Sequence, residues 1–502
     1  MRSKIRSYLR YVIALVVLTM LVGGAVIYYL QKSGVTPRAL SPYVERRTSD
    51  HNPLIIKTGE WVGKALMLLD RGASKPHQNS PTIIGAQTSP RDQRHAARHE
   101  ADRSVDNRSD ILVTSSAQLV AALSKANAGD LITIMPGTYH VVGTPLIANR
   151  PGTAGNRITV RAIQAGTVFL EFNLGEGFQV SAPYWTFENL SIRGVCQHHE
   201  NCEHAFHVTG GANHFTASNN TIRDFNAHFK INGSDGRMPD FGLIEGNTLS
   251  NTSARKTSAP VTLIDLVAAS NWVIRRNLIT DFIKDQGDRI SYGAFAKGAG
   301  SGNKFEQNIV LCEHLLRGAA GQRVGLSLGG GGTGKDYCRD RRCITEQDKS
   351  IVQANLIASC SDDGIYLNRA AASVILHNTV IDTAGVTIRF PESSADVEGN
   401  LVDGPIRSRD DGLLRSKDNR ETPIALLYLG YHPLRSLFLQ AEAANFMSKD
   451  KLPHRSVTLA DLPDLCDSTR PPTPSYGAFE DFSTCLLARP GTTQSAPPIP
   501  YK

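Results

Sequence analysis

Three phrases, FENLSIRG (187–194), SNNTIRDF (218–225) and EGNTLSNT (245–252), share one order of residue types. Each sets one or two strand residues before an asparagine and two or three mostly apolar residues after it. The phrase returns as RRNLIT around Asn277, EQNIVL around Asn308, QANLIA around Asn355, LHNTVI around Asn378 and EGNLVD around Asn400. With Asn189, Asn220 and Asn247 as the first three, successive asparagines stand 31, 27, 30, 31, 47, 23 and 22 residues apart. The shortest steps fit one bare coil of a solenoid, and the longer ones fit coils that carry loops. An inward amide costs free energy unless it is hydrogen-bonded, and amides stacked coil on coil satisfy one another along the axis. The repeat predicts an all-β body, a single-stranded right-handed parallel β-helix over residues 110–415, with the eight asparagines at one corner.

A second register lies upstream of the asparagines. A glycine precedes a four-residue strand in GAFAK ending at Lys297, GLSLG ending at Gly329, GIYLN ending at Asn368 and GVTIR ending at Arg389. Ile365, Leu367, Val386 and Ile388 read as inward, so period 2 turns Tyr366, Asn368, Thr387 and Arg389 outward. The same count turns Phe295 and Lys297 outward and adds Asp265, Lys230, Asn232, His207 and Thr209 on earlier coils. In this register Lys297 stands between Asp265 one coil before and Gly329 one coil after, and the glycine leaves room for a sugar ring. Tyr366 offers an aromatic face to a pyranose. A solvated sheet face would also be polar. Aromatics and opposite charges set in a wall of small residues favour a binding face.

Outside the repeat, Arg2, Lys4, Arg6 and Arg10 precede the uncharged, mostly apolar run Tyr11–Leu30. At about 1.5 Å per residue, such a helix matches a bilayer core of about 30 Å. Residues 1–30 are therefore expected to be a cytoplasmic basic flank and a transmembrane signal-anchor, with a cleaved signal peptide as the alternative. The β-helix would then lie on the extracytoplasmic (periplasmic or extracellular) side. Residues 31–109 read as a polar, largely disordered linker with a short helix near Trp61–Leu69. Ser115 or Ser116 caps a short amphipathic helix through Leu119 and Leu123, suited to covering the first coil. Residues 416–502 read as a C-terminal helical and loop cap with a tail, including an amphipathic helix over Leu434–Met447.

Eight cysteines fit an oxidising compartment. Their spacing pairs Cys196 with Cys202, Cys338 with Cys343 and Cys466 with Cys485, while Cys312 and Cys360 stack on neighbouring coils. The net charge of +7 favours acidic partners, but no Lys/Arg block of nucleic-acid type occurs. HHENCEH (198–204) carries metal-binding side chains, although a disulfide-closed loop tip explains it more simply. GGGGTGK (329–335) lacks the closing Ser/Thr of a phosphate loop and lies inside the β-repeat, so no nucleotide is expected. Asp362-Asp363-Gly364 reads as an Asx turn before a strand.

The stretches AGDLITIMPGTY (128–139), GTAGNRITVRA (152–162) and PYWTFENLSIRG (183–194) resemble the pectin-lyase-like superfamily. More narrowly they resemble the chondroitinase B and alginate lyase family of polysaccharide lyases. The resemblance implies binding of an acidic, uronate-containing polysaccharide along the outer face and cleavage by β-elimination. It implies a lysine base, an assisting arginine and Ca²⁺ held by Asn and carboxylates. Lys297 falls where the family lysine would. The family arginine position holds Gly329, so Arg323, Arg369 and Arg389 are the replacements, with Arg389 and Arg369 placed in the catalytic group beside Lys297. The family's paired glutamates are absent, which leaves Asp285 and Asp288 as metal candidates. Lys230, Asn232, Asp265, Phe295, Tyr366 and Asn368 are the candidate substrate contacts. Two other functions share this frame: a non-catalytic glycan-binding or scaffold β-helix of the cell envelope, and a glycosidase or uronate epimerase.

Overall fold

The computed structural model describes residues 2–71, 110–330, 332–456, 462 and 464–487. From Asp110 to Glu421 the chain winds into three parallel sheets of 12, 11 and 10 strands. One turn is typical: Thr216–Ser218 joins the 12-stranded sheet, Thr221–Arg223 the 11-stranded sheet and Ala227–Asn232 the 10-stranded sheet. Strands of three residues alternate inward and outward, as Ile222 between Thr221 and Arg223 shows.

The corner between the first two strands of each turn carries the asparagine ladder. Asn220, Asn247, Asn277, Asn308, Asn355, Asn378 and Asn400 are each at most 1% exposed. From Asn247 onward each amide oxygen accepts two bonds from the coil before. Asn277 Oδ1, for example, takes the Asn247 backbone N–H at 2.9 Å and the Asn247 Nδ2 at 3.0 Å. The Asn277 Nδ2 then donates to the Ile244 carbonyl at 2.9 Å as well as to Asn308 at 3.0 Å. The residue before each rung takes a left-handed backbone that turns the chain into the next sheet. Gly246 (φ 64°) and Gly399 (φ 71°) do so without a Cβ penalty, whereas Arg276 and Gln307 carry the cost at φ 56°.

The first rung differs from the sequence register. Ser218 pairs with Glu188 and Thr221 with Ser191, so Asn189 stands opposite Asn219 in the left-handed position and Leu190 fills the rung. The ladder proper begins at Asn220, which accepts the Leu190 N–H at 3.0 Å. It also runs one rung further, to Asn419, 19 residues beyond Asn400.

Inside the early coils aromatic rings stack on the same axis. Phe178 and Phe206 lie 4.9 Å apart and Phe206 and Phe229 5.2 Å apart, each pair nearly parallel at 11°. Helix α4 (Ser116–Lys125), capped by the Ser115 hydroxyl, buries Leu119 and Leu123 on the first coil.

The flanks depart from expectation. Helix α1 (Arg2–Ser33) forms, and Leu15, Leu18 and Leu21 on it are exposed. Among the described residues, however, no helix is long and apolar enough to cross a membrane, so the expected transmembrane anchor is not supported. The linker assigned to 31–109 contains two helices, α2 (Pro37–Thr48) and α3 (Pro53–Arg71), and its remainder, 72–109, lies outside the described residues. The fully buried Arg38 explains the difference. Its guanidinium is ion-paired with both Asp70 and Asp382 and donates to the Asp382 and Cys360 carbonyls, which pins the helical pair to the β-helix.

The helix expected over Leu434–Met447 is instead an antiparallel strand pair, Phe438–Gln440 with Asn445–Ser448. Phe438, Phe446, Phe479 and Phe482 pack against Leu311, Leu356, Ile381 and Leu401, the outward residues of the 11-stranded sheet. The C-terminal segment thus lies along the side of the solenoid, not across its end. All four disulfides form: Cys196–Cys202, Cys312–Cys360, Cys338–Cys343 and Cys466–Cys485.

Replacing Asn308 with Ala strips two acceptor bonds from the Asn277 backbone and amide. Chemical denaturation should show a loss of about 2–4 kcal/mol. Asn189→Ala, off the ladder, should lose less than half as much.

Candidate functional site

The 10-stranded sheet is the one whose outer face the sequence singled out. Its strands place that face in two neighbouring columns. The first runs His207, Lys230, Asp265, Phe295, Ser327, Tyr366 and Thr387. In the second, Asn232 follows Thr209, Val267 pairs with Lys297, and Asn368 pairs with Arg389. The coil-to-coil neighbour of Lys297 is therefore Val267, and Asp265 stands over Phe295. The sequence count was two residues off on the Val261–Val267 strand, because all seven of its residues are buried and offer no alternation to read.

Lys297 sits in a recess. Its ammonium lies 4.5 Å from the centroid of the Phe295 ring, a cation–π contact. Phe295 and Val267 form a small outer apolar cluster backed by Met238 and Tyr292. Over the lysine stem passes the glycine-rich loop: a Cβ at Gly330 would come within 2.8 Å of the Lys297 Cδ. Gly329 does not open space for a ring. It takes a φ of 71° and packs against the Asn368 carbonyl, which an added Cβ would meet at 1.9 Å. The same loop is closed by Cys338–Cys343 and tied across the face by Arg339, which grips both oxygens of Asp240 at 2.8 Å.

Glu346, almost fully buried, accepts the Gly298 N–H at 3.0 Å and lies close enough to act on Lys297. The sequence reading missed it, since a long loop brings it in. Burial pushes the Lys297 ammonium below the ordinary lysine value; Asp265 opposes this, Lys230 adds to it and Glu346 opposes it. Among the described residues the ammonium makes no hydrogen bond or ion pair, only the ring contact.

The other candidates are more committed. Lys230 donates to Asp265 at 2.7 Å, while the second Asp265 oxygen is buried without a partner. Asn368 donates to the Tyr366 hydroxyl at 3.3 Å and leaves its own buried oxygen unpaired. Arg389 is held by Asp410 at 2.5 Å, reaches the Tyr366 hydroxyl at 3.2 Å and stacks on Phe390. Arg369 is not on the face. It follows the strand at a left-handed corner (φ 59°), 4.0 Å from Glu392. Arg323 is buried against Glu313 and serves the fold. Asp285 and Asp288 do not form a metal site: both are exposed, and Asp288 takes Lys284 at 2.6 Å. Ca²⁺ prefers six to eight oxygens, and these two positions cannot supply such a shell.

The buried Asp363 lies beside the half-buried Asp362. Burial and the charge of Asp362 hold Asp363 well above the usual carboxylate range, against Arg407 and the Thr387 hydroxyl, which donates to it at 2.8 Å. The pair precedes the Ile365–Asn368 strand and lies away from Lys297.

The Pel9A-like right-handed β-helix region matches residues 99–259. The match is to a right-handed β-helix of the pectin-lyase-like kind and covers about a third of the chain. Pectate lyase L of Dickeya chrysanthemi is 26% identical over 229 residues, which cover 38% of this chain and 51% of that protein. The chain thus spans about half the length of this curated relative. The crystal structure of pectate lyase Pel9A superposes with a TM-score of 0.53 at 15% identity, covering 75% of this chain and 97% of that one. An alginate lyase from Paenibacillus sp. str. FPU-7 gives a TM-score of 0.37 at 16% identity, over 63% of this chain and 96% of that one. The superfamily expectation is met. The family region that matches is the Pel9A-like one.

If neutral Lys297 is the reacting form, turnover should rise with pH and level off at an apparent pKa below 10.5. Lys297→Arg, which stays charged, should cost about 100-fold or more in kcat at every pH on that limb.

Proposed function

We propose that this protein binds an acidic, uronate-containing polysaccharide along the outer face of the 10-stranded sheet and cleaves it by β-elimination. The observation that carries the reading is the half-buried, unpaired ammonium of Lys297 with its lowered pKa. Neutral Lys297 takes the proton α to the uronate carboxylate. The electron pair forms the ring double bond, the bond to the glycosidic oxygen breaks, and solvent protonates the leaving oxygen. The developing charge on the carboxylate needs a cation. Arg389 is the candidate on the same column, and it must exchange Asp410 for the substrate. Tyr366 and Asn368 supply the neighbouring polar contacts. The Ca²⁺ implied by the resemblance finds no oxygen shell at Asp285 and Asp288.

The similarity to a Pel9A-like β-helix region and to a pectate lyase supports this reading, as does the basic balance of the chain. Four disulfides support a place on the extracytoplasmic side, periplasmic or extracellular. A non-catalytic glycan-binding role draws on a different observation: Arg389 is already paired, and Gly330 lies over the lysine stem.

Ultraviolet absorbance of unsaturated uronate, followed over pectate, alginate, chondroitin and dermatan, separates the two. Elimination predicts absorbance with at least one polymer, lost in Lys297→Ala while the melting temperature is kept. Binding of a polymer without absorbance, unchanged in Lys297→Ala, overturns the lyase reading in favour of the scaffold.

A further inference from the structure

Three coils before Phe295, the same outer column passes a cluster that the elimination chemistry does not use. Glu176 opens the strand Glu176–Val180, and His204 and His207 lie on the next strand, His204–Thr209. His204 pairs directly with Glu176 in the sheet register. Residues 204 and 207 would ordinarily face opposite sides of a strand. Here Ala205 and Phe206 are both buried between them, so both rings end on the outer side, with centroids 5.6 Å apart. Gly177 permits this, since a Cβ there would meet the Ala205 carbonyl at 2.5 Å.

The ligand atoms converge. Glu176 Oε1 lies 3.0 Å from His207 Nδ1 and 3.9 Å from His204 Nδ1, and all three atoms fall within 4.8 Å of one another. His204 Nδ1 is buried and has no hydrogen-bond partner. The supporting contacts are those of a held ligand set. Asn232 donates to the Gly233 carbonyl at 3.0 Å, which turns its oxygen to His207 Nε2 at 2.9 Å. That contact fixes the tautomer with Nδ1 toward Glu176. Gln179 donates to the second Glu176 oxygen at 3.3 Å.

We infer that Glu176, His204 and His207 form a transition-metal site of the Zn²⁺ class, with its remaining position open on the polysaccharide face. Two imidazoles and one carboxylate suit Zn²⁺, which takes nitrogen at about 2.0–2.1 Å in a tetrahedron, and do not suit Ca²⁺. Side-chain exposures of 15%, 20% and 27% for His204, His207 and Glu176 leave the cluster reachable from solvent. At about 4.8 Å per coil, the ion would sit about 14 Å along the face from Phe295. Its open position would take a carboxylate of the same polymer, a consequence that rests on the uronate reading. The site itself does not.

The test is a calorimetric titration of the chelator-stripped full chain with ZnCl₂ and no sugar present, with bound metal counted by elemental analysis. One equivalent is expected, with affinity weakened at least tenfold by His204→Ala, by His207→Ala and by Glu176→Gln, while His214→Ala leaves it unchanged. A 100-fold excess of CaCl₂ should not displace it. Thermal unfolding in chelator controls for folding: the variants should melt near the wild type but lose the rise that zinc gives. Absence of zinc binding, or one equivalent retained in both histidine variants, overturns the site. Because no sugar is used, either result stands apart from the lyase assay.

Discussion

A buried amide that must be satisfied fixes this molecule. Each ladder asparagine offers two N–H groups and one oxygen to a dry interior, and the coils above and below supply the partners, joined on several rungs by the carbonyl two residues earlier on the same coil. The bond from each backbone N–H to the next amide oxygen fixes where one strand ends and the next begins. A slip of one residue on any coil would break two bonds and turn that coil's apolar set outward. Register along the whole stack, and with it the alignment of the outer columns, follows from this corner. Loops can vary from a 22-residue to a 47-residue step because the ladder, not the loop, holds the coil in place.

The candidate site uses that regularity and then departs from it. The columns supply an aligned polar face, but the features that distinguish Lys297 come from loops. The Gly329–Glu346 excursion passes over the lysine stem, and Arg339 bridges to Asp240. Phe295 and Val267 remove water from one side of the ammonium. An amine without a counter-ion in such a place is costly when charged, so the recess favours the neutral form that a proton abstraction needs. The cost is borne by a scaffold with many buried backbone bonds. Lys230, by contrast, is neutralised by Asp265 and Arg389 by Asp410, so these two cations leave little uncompensated charge on the face.

Much of the fold was legible because the repeat is a statement about burial. Seven of the eight chosen asparagines lie on the ladder, and the miss has a local cause: Asn219 and Asn220 are adjacent, and the phrase at Asn189 aligns with the first of them. Asn419 escaped because the KDNRE phrase has no apolar residues after it. The side-packed C-terminal segment was also written in the repeat. Phrases such as NLIT, NIVL and NLIA are apolar at outward as well as inward positions, the mark of a sheet covered on both faces. Strand alternation located Phe295 and Lys297 on the outer side, but it could not locate Asp265, whose strand is buried throughout. Glu346 and Glu176 lay beyond sequence reading, as did the convergence of His204, at the end of HHENCEH, with the outward His207. Glu346 arrives through a long loop, and the convergence needs a bend between His204 and His207 that period 2 forbids.

The dependence of the site on the ladder can be measured by hydrogen–deuterium exchange across Asn308→Ala. The coil that holds Asn277 leads into the strand Ile290–Lys297, and the coil that holds Asn308 leads into Gln322–Leu328. If the corner sets the register of the face, exchange should rise together in both strands, while Ala227–Asn232, two coils up, stays protected. Faster exchange confined to the corner at residue 308, with Ile290–Lys297 as protected as in the wild type, would contradict the account.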